Sequence, residues 1–172
     1  MNGTRLVCLS GLLLIAGSTS TAQEVRSRAE LMERASHEFA GGNYAEAERD
    51  FRDLSTADPS NVDFCAYLGH SLFRQQKYAA AIAPYEKLLD LERQGKALPE
   101  RTRRIIADQL AMAYGISGQA SKAHELLEKA VSRDPEYPLN YYNLACVFAG
   151  GRRPGQDVNK PEPGIPSQRP CA

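Results

Sequence analysis

An internal repeat is the feature that most constrains the fold of this chain. A shift of 34 residues superposes comparable residues, namely Leu31 on Cys65, Ala35 on Gly69, Tyr44 on Tyr78, Ala47 on Ala81, Phe51 on Tyr85 and Leu54 on Leu88. A step of 42 then takes Leu68 to Leu110, Gly69 to Ala111 and Ala81 to Ala123, and a further step of 34 takes Leu110 to Leu144 and Tyr114 to Phe148. Units of this length stack on their neighbours, because one unit alone cannot bury its apolar face.

Each unit has the pattern of two helices. In the second unit, Cys65, Leu68, Gly69 and Leu72 recur at three- and four-residue spacing and so share one helical face. After a turn, Tyr78, Ala81, Ile82, Tyr85 and Leu88 form the face of the next helix. Gly42 and Gly118 suit the turn in the first and third units, and Pro59 and Pro135 end the second helices. The sequence therefore predicts stacked helical hairpins.

These small, aromatic and proline positions resemble the tetratricopeptide (TPR) repeat. The matching residues are Ala35, Gly42, Tyr44, Ala47, Phe51 and Pro59 in the first unit, Leu68, Gly69, Leu72, Tyr78, Ala81, Tyr85 and Leu88 in the second, and Leu110, Ala111, Tyr114, Gly118, Ala123, Leu127 and Pro135 in the third. The resemblance implies an all-α fold, a right-handed α-solenoid of about three and a half units. The solenoid spans 28–151, with units at 28–61, 62–95 and 104–137, an insertion at 96–103 and a capping helix at 138–151.

Some residues depart from the repeat. Pro84 falls inside a helix, where it removes a hydrogen bond and bends the axis. The insertion 96–103 contains Pro99, which suits the first turn of a helix, so we expect the helices on both sides to be lengthened. On the last helix, we expect Tyr141, Leu144, Ala145 and Phe148 to pack on the third unit.

The two ends of the chain have different patterns. Residues 1–22 have a single basic residue, then a short apolar run, then the small residues Ser20 and Ala22 separated by one position, as at a cleavage site. This pattern is typical of a secretory signal peptide, and an uncleaved membrane anchor is the alternative. Cleavage leaves a short lead, 23–27, and predicts an exported protein, periplasmic or secreted, with no stable membrane span. The tail 152–172 is rich in Pro and Gly, and we expect it to be disordered, either as a natural ending or as the product of a shifted reading frame.

The cysteines predict no disulfide framework. Removal of Cys8 with the signal leaves Cys65, Cys146 and Cys171, which is an odd number. We expect Cys65 and Cys146 to act as small apolar residues on helices.

The resemblance also implies where a ligand binds, since the first helices of TPR units form the inner wall of the solenoid. By this resemblance, the residues expected on the inner wall are Met32, Ser36, Phe39, Asp63, His70, Phe73, Arg74, Asp108, Met112 and Tyr142. Aromatic residues, Met and Arg suit a protein or peptide ligand, although Phe39 and Phe73 could equally pack between helices. The paired Lys and Asn residues with which some TPR proteins grip a carboxylate tail are absent.

Composition excludes several other functions. The chain has 21 Lys and Arg against 21 Asp and Glu, which is unlike the strongly basic surface of a nucleic-acid-binding protein. No catalytic motif, metal-ligand spacing or phosphate-binding loop occurs, so we expect no enzyme activity, no metal and no cofactor. The predicted function is a non-catalytic binding scaffold or adaptor that uses the concave face. The alternative is a self-associating component of an envelope assembly, a homo-oligomer formed through the C-terminal edge.

Overall fold

The computed structural model of the chain describes the backbone of residues 16–149 and the side chains of residues 23–149. The helices are α1 (Ala16–Ala40), α2 (Tyr44–Ala57), α3 (Val62–Arg74), α4 (Tyr78–Arg93), α5 (Glu100–Ile105), a π-helical turn (Ile106–Leu110), α6 (Ala111–Ile116), α7 (Ala120–Arg133) and α8 (Pro138–Phe148). Each of α1 to α3 packs on the next helix, then α4 packs on α6, α6 on α7 and α7 on α8. No strand occurs in the described part, and the predicted α-solenoid is confirmed.

The positions that align in the repeat form the core. Each of these side chains is at most 6% exposed: Ala35, Ala47, Phe51, Leu54, Cys65, Leu68, Leu72, Ala81, Tyr85, Leu88, Leu110, Ala111, Tyr114, Ala123 and Leu127. The same positions are therefore buried in every unit, because each helix turns the same face toward its neighbours.

The turns inside the units need a left-handed residue. Gly42 (φ +83°) and Gly118 (φ +76°) supply it in the first and third units, as expected. In the second unit, Gln76 adopts the left-handed conformation at φ +61°, which few residues other than glycine adopt.

The insertion lengthens the helices on both sides, as expected. Helix α4 has 16 residues, against 14 in α2, and it continues through Pro84. On the other side, α5, the π-helical turn and α6 follow one another without a break over residues 100–116, whereas α3 has 13 residues. Leu98 in the connection is buried, and Glu92 accepts hydrogen bonds from Arg103 (Nε, 2.7 Å) and Arg133 (Nη1, 3.1 Å). These contacts fix the second unit against the third.

The prediction for α8 is only partly right. Leu144 packs against the core, but Ala145 is exposed, Tyr141 is 48% exposed and Phe148 is 69% exposed. The Phe148 ring contacts the His124 ring of α7, with 4.5 Å between centroids. The reason is geometric: the corresponding face of α3 is covered by α4, and no second helix covers α8 in the described part of the chain.

The cysteine prediction is wrong for Cys146, which is disulfide-bonded, while Cys65 is a buried free thiol. Pairing was missed because sequence spacing does not determine connectivity. The predictions for the signal segment 1–22 and the tail 152–172 concern mostly residues outside the described part. Helix α1 begins at Ala16 and so includes the predicted cleavage boundary after Ala22. None of the helices described is both long and apolar enough to cross a membrane.

Candidate peptide-binding groove

Four ring side chains meet where α1, α2 and α3 come together, and we call them the groove cluster: Phe39, Tyr44, Tyr67 and His70. Phe39 is at the centre, and its ring centroid lies 5.5 Å from that of Tyr44, 5.1 Å from Tyr67 and 4.9 Å from His70, each with an edge-to-face geometry. Tyr67 also stacks on the buried ring of Phe51, at 4.9 Å and an interplanar angle of 10°. Such contacts hold the rings in fixed orientations.

His70 is neutral in this cluster. Burial, together with the positive charges of Arg74 and Arg101, lowers the pKa of His70 to about 4. Its Nε2 lies 3.5 Å from the amide Nε2 of Gln109, and Gln109 in turn accepts a hydrogen bond from the hydroxyl of Tyr85 through its Oε1. A neutral His70 can accept from that amide, so a polar chain runs from the core at Tyr85 to the groove cluster.

Arg74 places a positive charge beside the groove cluster. Its Cζ lies 4.5 Å from the centroid of the Tyr44 ring, in a cation–π contact. The Arg74 side chain is exposed, and among the described residues it makes no ion pair. Arg101, on the first turn of α5, is likewise exposed and unpaired within the described part. The groove therefore has two cations whose charge no described carboxylate neutralises.

The other predicted groove residues of the first two units are spread more widely. Met32 is 40% exposed on α1, and Ser36 is half-buried one turn further along the helix. Asp63 is exposed in the first turn of α3, where its backbone N–H donates to the side chain of Asn61. Phe73 is partly buried against Tyr78, with ring centroids 5.3 Å apart, so it packs between helices.

The predicted residues of the last units form a separate group. Asp108, on the π-helical turn, accepts a hydrogen bond from Asn143 of α8 at 3.1 Å. Met112 is half-buried on α6. Tyr142 is half-buried on α8, and its hydroxyl is buried without a hydrogen-bond partner among the described residues. The structure therefore brings Phe39, His70 and Arg74 together, whereas Asp108, Met112 and Tyr142 lie on the following helices.

Sequence reasoning missed three residues of the groove. Tyr44 and Tyr67 belong to the groove cluster, and Gln109 connects it to the core. The sequence places Tyr44 among the residues that match the repeat, which indicates helix packing and gives no sign of a role in the groove. Gln109 comes within reach of His70 on the π-helical turn, which has no local sequence signature.

A second candidate site is a cleft of about 450 Å³ between α4 and α7. Its floor includes Leu89, Ile106 and Leu126. The charges on its rim pair with one another, since Glu92 binds Arg103 and Arg133, and Arg104 binds Asp134 at 2.8 Å. A rim that is already neutralised offers little to a charged ligand, so the groove cluster is the better candidate site.

The described residues offer no metal site, because no group of three or more His, Cys, Asp or Glu residues could hold an ion there. The predicted absence of metal and cofactor stays a prediction for the whole chain.

Comparison with known proteins identifies the family. Two family models, each described as a tetratricopeptide repeat, match residues 32–97 and 107–137, which together are more than half of the 172 residues. The chain belongs to the tetratricopeptide repeat family. These repeats indicate a protein-interaction scaffold, and no family of enzymes is indicated. None of the curated proteins compared with the chain matches it.

Proposed function

We propose that this protein is a non-catalytic scaffold that binds an extended peptide segment of a partner protein in the groove formed by α1 and α3. The segment carries a carboxylate next to an aromatic or aliphatic side chain. The observation that supports this most directly is Arg74, an exposed cation stacked on Tyr44 with no ion pair among the described residues. Arginine suits a carboxylate because its guanidinium donates two parallel hydrogen bonds.

The groove cluster supplies the apolar part of this recognition. Tyr67 is 37% exposed and its ring is fixed by Phe39 and Phe51, so a ligand side chain meets a surface that is already ordered. Ordered aromatic surfaces bind with a smaller loss of side-chain entropy. Because His70 stays neutral at pH 7, it adds a polar contact without repelling Arg74.

Selection from a random peptide library tests this function. We expect the wild-type protein to enrich peptides that combine Asp, Glu or a free C-terminal carboxylate with a neighbouring apolar residue. Arg74→Ala should weaken the best such peptide by about 1–3 kcal/mol and abolish the preference for an acid, with helicity unchanged.

Arg49→Ala is the matched control, since Arg49 is an exposed arginine of α2 outside the groove cluster. If Arg49→Ala weakens binding as much as Arg74→Ala, the charge acts from a distance and the groove assignment is wrong. Equal loss in the outer-face variant Glu46→Ala would count against the assignment in the same way.

We also propose that the protein is exported, to the periplasm or beyond the cell. The signal-like pattern of residues 1–22 supports this location, and so does the disulfide at Cys146, because such bonds persist in oxidising compartments. Intact mass of the protein from cells tests it: cleavage gives a chain that starts at Gln23, whereas a retained Met1 supports an anchor.

A further inference from the structure

Cys146 of α8 is disulfide-bonded, and its partner lies outside the described part of the chain. The chain contains four cysteines, Cys8, Cys65, Cys146 and Cys171. Cys65 is a buried free thiol on α3, so it is not the partner. Within one chain, the bond therefore joins Cys146 to either Cys8 or Cys171.

The position of Cys146 near the end of α8 favours Cys171. Helix α8 ends at Phe148, and Cys171 follows it along the chain. The segment 147–170 between the two cysteines can extend to roughly 80 Å, whereas the Cα atoms of a disulfide are only roughly 6 Å apart. Cys171 can therefore return to α8 without displacing any described helix.

Cys8 is connected to the opposite end of the row of helices. It precedes α1, which packs on α2, whereas α8 packs on α7, the π-helical turn and α6. The residues between Cys8 and the start of α1 can extend to at most about 30 Å. Cys8 also belongs to the segment that cleavage after Ala22 removes, so the mature chain keeps Cys171 alone as a partner. This last step rests on the proposed export.

We infer that Cys146 and Cys171 form an intrachain disulfide, which closes residues 146–171 into a loop and ties the C-terminal segment to α8. The bond forms by thiol–disulfide exchange, in which a disulfide oxidant of the oxidising compartment is reduced to two thiols. The two cysteines together give up two protons and two electrons and gain one S–S bond. The loop is therefore closed in an oxidising compartment and opened by a reducing thiol.

The bond attaches the loop to the face of α8 that carries Tyr142. Tyr142 is four residues before Cys146, so the two side chains share one face, and Tyr142 is one of the residues expected on the inner wall. Both side chains are half-buried, and the buried hydroxyl of Tyr142 has no hydrogen-bond partner among the described residues. The loop therefore begins beside the predicted inner wall, and its closure restrains a helix whose Tyr141 and Phe148 are exposed.

Peptide mapping without reduction tests the pairing. The full-length chain is expressed with export, free thiols are blocked with iodoacetamide during unfolding, and the protein is digested with trypsin. We expect a disulfide between peptides 134–152 and 153–172 in a protein that stays monomeric on a non-reducing gel, with Cys65 alkylated. A link to the peptide that contains Cys8, a link between two chains, or an alkylated Cys146 would each overturn the inference.

The same sample separates the pairing from the proposed export. A chain that starts at Met1 but carries the bond between Cys146 and Cys171 contradicts cleavage and supports the pairing. A chain that starts at Gln23 without this bond supports cleavage and overturns the pairing.

Hydrogen exchange measures whether the bond restrains α8. We expect Cys171→Ser, or reduction of the wild type, to accelerate exchange in α8 at least ~10-fold and to leave α1 to α3 unchanged, because opening the loop raises the entropy of the locally unfolded chain. Cys65→Ala is the matched control, since it removes a cysteine and keeps both partners, and reduction should accelerate exchange in its α8 as in the wild type. If reduction has the same effect in Cys171→Ser, or no effect in the wild type, the proposed restraint does not exist.

Discussion

At the scale of single residues, Gly69 of α3 packs closely against Tyr85 of α4. A Cβ added to Gly69 would lie 2.7 Å from Cε1 and 2.9 Å from Cδ1 of the Tyr85 ring. The ring is fully buried and its hydroxyl donates to Gln109, so it cannot move aside without losing that hydrogen bond. Glycine is therefore required here by the contact with the neighbouring helix, whereas the repeat alignment predicts only a small residue, since Ala35 and Ala111 occupy the equivalent positions.

We predict that Gly69→Ala lowers the free energy of unfolding by about 1–3 kcal/mol, because it overpacks the contact with Tyr85. Gly115→Ala is the control: Gly115 lies within α6, and nothing is within 4 Å of its added Cβ. That variant should gain about 0.5–1 kcal/mol, since alanine favours a helix interior. Urea unfolding measures both, and a Gly69→Ala protein as stable as Gly115→Ala would contradict the close contact.

His70 predicts a pH dependence of stability. Its pKa is about 4 in the folded chain, below the ordinary 6.5, so the unfolded chain takes up a proton that the folded chain does not. Stability should therefore fall as the pH is lowered from about 6.5 to 4, by up to ~3 kcal/mol. Urea unfolding at a series of pH values should show a shallower dependence in His70→Gln. The exposed His37 of α1 gives the control His37→Gln, and an equal change in both variants would refute the assignment to His70.

At the scale of elements, α8 is held by a buried polar residue. Asn140 is 2% exposed, and its amide donates to the carbonyl oxygens of Ala130 (3.2 Å) and Asp134 (3.3 Å) at the end of α7. The same two carbonyl oxygens also accept backbone N–H groups, of Asp134 (2.9 Å) and Tyr137 (3.3 Å), so Asn140 supplies a second donor to each. This residue fixes the angle at which α8 leaves α7.

We predict that Asn140→Leu destabilises α8 by about 1–3 kcal/mol, because it removes two hydrogen bonds from a buried position. Hydrogen exchange by mass spectrometry should show faster exchange in α7 and α8 and no change in α1 to α3. Asn143→Leu, which loses a single hydrogen bond to Asp108 from a half-buried position, is the control and should have a smaller effect. Equal effects would mean that Asn140 does not anchor the helix.

The helices and their core could be predicted from the sequence because burial recurs at the same positions in every unit, as at Ala47, Ala81 and Ala123. The exposure of Tyr141 could not be predicted from the sequence, because it depends on whether another helix covers this side chain and not on the residue itself. The contact of Gln109 with His70 depends on the π-helical turn, and the spacing of the cysteines does not determine whether Cys146 forms a disulfide. For the groove, the sequence therefore identified residue types on the correct helices but not which of them meet.

At the scale of the whole molecule, described helices contact mainly their neighbours along the solenoid. Phe51 in α2 and Leu127 in α7 are both fully buried, but they belong to different units. The second and third units are joined by α4, which packs on α6, and by the ion pairs of Glu92. In such an architecture, stability is close to a sum over units and the contacts between adjacent units.

We predict that a cavity in one unit loosens that unit first. Leu127→Ala should cost about 2–5 kcal/mol and accelerate hydrogen exchange in α6, α7 and α8 by roughly tenfold or more, with α1 and α2 unchanged. Phe51→Ala should instead accelerate exchange in α1 and α2 and leave α6, α7 and α8 unchanged, because its cavity lies between α2 and the helices packed on it. Exchange measured by mass spectrometry in a low concentration of urea resolves the helices separately. If each substitution accelerates exchange equally along the whole described chain, the contact through α4 and Glu92 makes the solenoid a single cooperative unit, and the stability does not divide between the repeats.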